Sequence, residues 1–372
     1  MTDGGVMYTE KELVGIAKRE NNNKRKYLVV NTRQGKHVPV SPKMALDMFR
    51  ELGSSIREEY KNEKVLVVGF AETATAIGAA LAIELESAYI QTTREIIEDV
   101  EYLFFSEEHS HATEQKLVKD DIESIIFDID RIIFAEDEVT TGKTIMNIIS
   151  ILDKLYPDTV KYSVASILNG MDESAMGLYK KKSIKLHYLV KTSHSEYDTI
   201  ADSFAGDGKY HDCNTDEYNG EIKQLKLSSM MNTRRLTDTA EYQKWCDQLY
   251  SKLEVYIDEK VKNALVIGTE EFMYPAIYVA KCIEEKGVLV KTHSTTRSPI
   301  AVSGEDNYPL HERFELKSMY DKNRVIYIYD LQQYDLVFII SDSENKYKEG
   351  INSLLNALNI EKNRNIILIC SE

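Results

Sequence analysis

Cysteine is scarce in this chain of 372 residues: Cys213, Cys246, Cys282 and Cys370 stand 33, 36 and 88 residues apart, with no CxxC pair and no clustered Cys/His ligands. Such spacing offers no structural zinc site and fits a reducing cytoplasm. Long apolar runs are missing too. None approaches the roughly 20 residues that span a bilayer, and the opening MTDGGVMYTEKELVG lacks a basic region followed by a hydrophobic stretch. The expectation is a cytoplasmic protein with no membrane partner. Basic residues are in deficit, 46 Lys plus Arg against 61 Asp plus Glu, for a formal charge of -15. That balance repels phosphate backbones and anionic lipid, so a nucleic-acid partner is not expected.

What is present is ordinary globular material, 43% hydrophobic and 29% charged, enough at roughly 150 residues per domain for two or three domains. A basic patch (Lys18, Arg19, Lys24, Arg25, Lys26) precedes the strand-like YLVVNT and reads as a solvated hairpin capping the first domain. Ser41-Pro42 predicts a helix through about Tyr60, with Met44, Ala45, Met48, Phe49 and Leu52 as its apolar face. KVLVVGF then passes through a glycine into TATAIGAALAIEL, and RIIFA passes through EDEVTTGKT into IMNIISILDKL. Two strand-loop-helix units followed by SVASILNG and IKLHYLV predict an α/β fold with a doubly wound parallel sheet.

Residues 203–232 are polar and without period, which sets an expected boundary near 225: one domain over 1–225 and another over 226–372. The second half repeats the first. Gly69 and Glu72 answer Gly268 and Glu271, Thr92-Thr93-Arg94 answers Thr295-Thr296-Arg297, and Asp137 answers Asp342, each seven residues after an aspartate, Asp130 or Asp335. Offsets of 199, 203 and 205 predict two domains of one fold.

Chemistry concentrates in IIFAEDEVTTGKT. A strand ends in an acidic cluster, and Thr140, Thr141, Gly142, Lys143 and Thr144 open a helix, whose free N–H groups and positive dipole end suit a phosphate. Glu136 and Asp137 would then face the vicinal hydroxyls of a ribose 5-phosphate. A nucleotide P-loop needs glycine where Asp137 stands. A chance acidic-threonine turn is the plain structural reading.

The segment resembles the phosphoribosyl pyrophosphate (PRPP) signature of type I phosphoribosyltransferases, departing from it at Glu138. GFAETATAIG, TTRE, FSEEHSHAT and EDEVTTGKT, in that order, are similar to the orotate-phosphoribosyltransferase-like family of tellurium-resistance and stress-response gene clusters. That family carries a C-terminal TRSP domain, which THSTTRSPI, GTEEFMYP and YIYDLQQYD resemble here. The resemblance implies a phosphoribosyltransferase-type sheet plus a related, degenerate α/β domain.

It also implies roles. Glu136 and Asp137 hold ribose hydroxyls and Mg²⁺, while Glu138, Val139 and Thr140 to Thr144 line the 5-phosphate. Ala71, Glu72, Thr73, Ala74 and Thr75 form the pyrophosphate loop, unless they are an ordinary turn with a capping threonine. Arg94 to Thr113 would be a mobile loop bringing Arg94, Glu107, Glu108, His109 and His111 to the pyrophosphate. His109 and His111 could instead bind a metal, though alternate residues on a flexible loop make a poor cage. Lys36 and His37 are expected to reach the same site from the cap, unless they simply form a hairpin turn.

In the second half Asn345, Lys346 and Tyr347 replace Thr140, Thr141 and Gly142, and a tyrosine there would block backbone approach to a phosphate. Glu271 and Arg297 remain as ligand contacts or structural residues. The implied reaction moves ribose 5-phosphate from PRPP to a base-like acceptor and releases pyrophosphate, in nucleotide biosynthesis and with a possible homodimer. The rival is a non-catalytic PRPP sensor or scaffold, and phosphorolysis would use the same site.

Overall fold

Val65–Gly69 is buried at each of its five positions and lies between the parallel strands Ala88–Gln91 and Arg131–Val139. An apolar run buried on both faces can only be a central strand. The computed structural model describes residues 8–20, 25–106, 114–214, 217–344 and 347–372. They form two compact units. The first takes the described residues through Glu10, Asp47–Ser193 and Asn232–Lys244, and the second takes Lys11–Leu46, His194–Met231 and Trp245–Glu372. The units are thus not divided at one point along the chain, because residues 11–46 go with the second and 232–244 with the first.

In the first unit the sheet runs Thr237–Asp238, Ala88–Gln91, Val65–Gly69, Arg131–Val139, Lys161–Asn169, Lys185–Lys191. All pairings are parallel except that of Thr237–Asp238 with Ala88 and Tyr89. Counted in chain order the parallel strands stand 2-1-3-4-5, the doubly wound arrangement that the alternation predicts. Winding reverses between Val65–Gly69 and Arg131–Val139, and the loops leaving these two strands part there to form a crevice.

Local packing explains the small residues of GFAETATAIG. A Cβ on Gly78 would lie 2.7 Å from the Gly69 Cα, so the helix Thr75–Glu84 rests directly on the strand backbone. Tyr89 donates to the Thr75 carbonyl at 2.7 Å and holds that helix start. A hairpin, Tyr102–Ser106 with Glu114–Val118, attaches where Thr93 and Lys116 exchange backbone hydrogen bonds. The Asn232–Lys244 segment is fastened by a fork from Arg235 to Asp121 at 2.7 and 2.8 Å and by Thr233 Oγ1 donating to Gln91 at 2.8 Å.

The second unit has a five-stranded parallel sheet in the order Lys223–Leu227, Ile366–Ser371, Leu336–Ile340, Asn263–Gly268, Leu289–Ser294. Its last four strands, counted from Asn263–Gly268, stand 2-1-3-4, matching the first unit and bearing out the internal repeat. The paired aspartates also match. Asp130 accepts from the Lys64 amide at 2.7 Å, and Asp335 from those of Lys262 and Asn263 at 2.8 and 3.0 Å, each bracing the start of a central strand.

The expected N-terminal hairpin is present as Val14–Lys18 with Tyr27–Asn31. Its Ala17 and Val30 are buried with Ile300, Val302 and Tyr308, so it packs within the second unit. The helix Pro42–Tyr60 buries Ala45, Met48, Phe49 and Leu52, while Met44, expected on that face, is 42% exposed. Among the described residues no helix is long and apolar enough to cross a membrane.

Candidate active site at the first switch point

The loop after Val65–Gly69 is held by side chains from two other segments. The Ala71 amide donates to Thr92 Oγ1 at 2.8 Å, Thr92 Oγ1 donates to Gln115 Oε1 at 2.8 Å, and Gln115 Nε2 donates to the Ala71 carbonyl at 2.6 Å. Thr92 and Gln115 are buried. The Ala71–Glu72 peptide is cis. From this loop Thr73 Oγ1 donates to Asp137 Oδ1 at 2.8 Å, linking the ends of the two strands that flank the switch point.

Asp137 sits on Arg131–Val139 between Glu136 and Glu138. Burial of most of its surroundings lifts its carboxyl from 3.8 to about 6, against the lowering effect of the Thr73 bond and with a smaller upward push from Glu138. The Tyr179 phenol is raised by burial and then by the charge of Glu136. Val139 is buried, so its side chain packs the interior.

Thr140 and Thr141 follow, partly exposed, and Gly142 caps the helix Lys143–Leu155 with φ 73°. Lys143 donates its amide to Thr141 Oγ1 at 3.3 Å. Beside the sequence-based expectation of close phosphate approach, the structure gives this glycine a packing reason. A Cβ on Gly142 would meet Met171 Cε at 2.2 Å and Tyr179 Oη at 2.6 Å, and Tyr179 already donates to the Gly142 carbonyl at 2.5 Å. The left-handed turn and the protein's own packing require glycine here.

Thr73, Asp137 and the helix entry at Gly142 therefore share one end of the sheet. Arg94 is half-buried and follows Thr93, with its carbonyl accepting from Lys116 Nζ at 3.2 Å. His109 and His111, with Glu107 and Glu108, lie outside the described residues. Lys36 and His37 belong to the second unit. The buried Lys36 ammonium donates to the carbonyls of Glu270 and Thr295 at 2.8 and 2.9 Å and to Ser294 Oγ at 3.4 Å, which corrects its assignment as a phosphate contact reaching from the cap.

The second unit repeats the threonine arrangement. Thr295 accepts the Glu270 amide at 2.9 Å on Oγ1 and gives its own amide to Gly268 at 3.1 Å, as Thr92 does with Ala71 and with Gly69 at 2.9 Å. The chemistry around it is different. Arg297 donates to Glu270 at 2.8 Å and to Glu271 at 3.1 Å, Arg324 donates to Glu270 at 2.9 Å, and Ser318 adds a third bond to Glu270 at 2.5 Å. Glu271 and Arg297, expected as ligand contacts, are thus directed at each other. Asp342 accepts from Tyr320 at 2.6 Å. Asn345 and Lys346 lie outside the described residues, and Tyr347 precedes the helix Lys348–Ile360.

Gln115, Tyr179 and Met171 were not singled out by sequence. Each comes from a segment distant in sequence from the loop it serves, and no spacing rule reports such a contact.

A family model described as phosphoribosyl transferase matches residues 13–195, and one described as TRSP domain, C-terminal to that transferase, matches residues 233–358. Among curated proteins none matches. Adenine phosphoribosyltransferase from Rhodothermus marinus is 15% identical over 49% of this chain and 96% of its own, with a TM-score of 0.36. The Giardia lamblia enzyme, complexed with 9-deazaadenine, is 15% identical over 49% and 95%, with a TM-score of 0.34. The Trypanosoma brucei enzyme, in complex with AMP, pyrophosphate and ribose-5-phosphate, is 15% identical over 49% and 77%, with a TM-score of 0.35. The two regions of this chain matched by the family models, in the order that the TRSP description specifies, mean that the chain belongs to the phosphoribosyl transferase family with a C-terminal TRSP domain.

Proposed function

We propose that this chain transfers ribose 5-phosphate from PRPP to a nitrogenous, base-like acceptor at the first-unit switch point, with release of pyrophosphate. The observation that carries the reading is the Thr73–Asp137 bond at 2.8 Å, which joins an acidic strand end to the facing loop beside a threonine-rich helix entry. In this reading the amides at the start of Lys143–Leu155, with Thr140 and Thr141, take the 5-phosphate. Glu136 and Asp137 accept hydrogen bonds from the two ribose hydroxyls. The loop Ala71–Thr75 meets the pyrophosphate, and Arg94 supports its departure.

The bond from ribose C1 to the pyrophosphate oxygen breaks as the acceptor nitrogen bonds to C1, and positive charge builds on the sugar ring. The carboxylates nearby favour that charge, and their grip on the hydroxyls orients the ring. The hard oxygens of Glu136 and Asp137 fit Mg²⁺ carried in with substrate phosphates, the usual mode for that ion. Among the described residues no cluster of three or more His, Cys, Asp or Glu is arranged to hold a metal unaided. Bound there, Mg²⁺ would neutralise charge on the leaving pyrophosphate.

The test is titration with PRPP and Mg²⁺, followed by pyrophosphate release with a panel of purine and pyrimidine bases. Binding with release for one base is the expected result. Absence of PRPP binding overturns the reading, and binding without release for any acceptor turns it into the sensor or scaffold alternative.

A further inference from the structure

Gln115 takes no part in the chemistry proposed above, yet it closes a ring of three hydrogen bonds with Ala71 and Thr92. The direction of the ring is dictated by chemistry. A backbone N–H can only donate, so Thr92 Oγ1 must accept from Ala71 and pass its own proton on to Gln115 Oε1. That turns Gln115 Nε2 to the Ala71 carbonyl. The carbonyl of Ala71 is an acceptor in the very loop assigned to an anionic leaving group, where a free carbonyl oxygen would repel phosphate oxygens. Gln115, 1% exposed, satisfies it on the buried side.

The second unit supplies an independent parallel. Glu270, which answers Ala71, also has its amide on a threonine and its carbonyl held by a buried side-chain donor, there Lys36 Nζ at 2.8 Å. The same need is met by two unrelated side chains arriving from two unrelated segments. Gln115 brings a further link, because the next residue, Lys116, exchanges backbone bonds with Thr93. The strand pair Tyr102–Ser106 and Glu114–Val118 is thereby tied to the loop through two successive residues, one by its side chain and one by its backbone.

We infer that Gln115 is a positioning residue for pyrophosphate: it fixes the Ala71 carbonyl in the interior and couples the loop Ala71–Thr75 to the hairpin. The inference rests on the proposed function of this loop. It predicts a selective effect, because ribose 5-phosphate is assigned to the other side of the crevice.

Gln115→Glu keeps the shape and loses the donor, while Thr92→Val removes the hydroxyl and Thr92→Ser keeps it. With Mg²⁺ present, Gln115→Glu and Thr92→Val are expected to weaken inorganic pyrophosphate binding by roughly tenfold, to leave ribose 5-phosphate affinity unchanged, and to speed amide exchange over residues 65–75. Thr92→Ser should restore wild-type values. Equal loss of both ligands, or unaltered pyrophosphate affinity in Gln115→Glu, would overturn the positioning role. If the wild type binds neither ligand, the proposed function falls, and the exchange measurement still decides whether Gln115 holds the loop.

Discussion

Thr73 and Asp137 are joined by a 2.8 Å hydrogen bond across the point where the first sheet reverses its winding. The acceptor is a carboxyl raised by burial to about 6, so the folded protein holds a proton that the unfolded chain releases near pH 4. The contribution of this proton is fully present below the unfolded value and is lost as pH rises through 6. Asp137→Asn can still accept from Thr73 and carries no charge to bury. Relative to wild type it should gain roughly 1–2 kcal/mol above pH 6, allowing for partial solvent access, with the gap closing toward pH 4. Urea midpoints at pH 4.5 and 7.5 measure this, and a gap that widens toward low pH would contradict the assigned environment.

Replacing both carboxylates separates binding from folding. Glu136→Gln with Asp137→Asn should lower PRPP affinity by roughly 10–100-fold without lowering the thermal midpoint, because charge-assisted bonds to hydroxyls are lost and no core is disturbed. Unchanged affinity by calorimetry would remove the pair from the sugar site.

Gly142 tests the helix entry. Alanine there adds a left-handed penalty of about 1–2 kcal/mol and displaces Tyr179 from the Gly142 carbonyl, so the total loss should exceed about 2 kcal/mol. Tyr179→Phe removes the hydroxyl alone and should cost about 1 kcal/mol. Chemical denaturation of both variants gives the comparison. A Gly142→Ala protein as stable as wild type would mean that the turn tolerates a side chain.

Glu270 lies 1% exposed with its carboxylate on two arginines and a serine. Glu270→Ala leaves Arg297 and Arg324 without that partner and should cost about 3–5 kcal/mol. PRPP titration of the wild-type chain should give one site, in the first unit. A loss below about 1 kcal/mol, or two sites, would show that the second switch point is open to ligands.

The doubly wound class and the internal repeat were legible because apolar runs ending in glycine recur at nearly constant offsets, and the structure returns the same 2-1-3-4 core twice. The candidate site was read where an acidic strand end meets a local turn, at Asp137 and Thr140 to Gly142, and the structure adds Thr73 to that place. Misreadings arose from long-range partners. Lys36 looked like a phosphate contact, and its true partner Glu270 is 234 residues away. At Gly142 the packing reason for glycine was hidden, since Tyr179 and Met171 come from a later segment. Gln115 sits in an unremarkable polar stretch, where neither period nor composition marks it.

The separation between Lys36 and Glu270 also sets an order of events at the ribosome. The paired strands Val14–Lys18 and Tyr27–Asn31, with Lys36, emerge early, but their partners Glu270, Thr295 and Ile300 follow more than two hundred residues later. At about 5–20 residues per second the nascent N-terminal segment waits on the order of ten seconds or more with Ala17 and Val30 uncovered. The first unit in turn completes its sheet edge only when Thr237 and Asp238 arrive. A ribosome stalled midway would therefore leave the N-terminal segment without the residues that bury it.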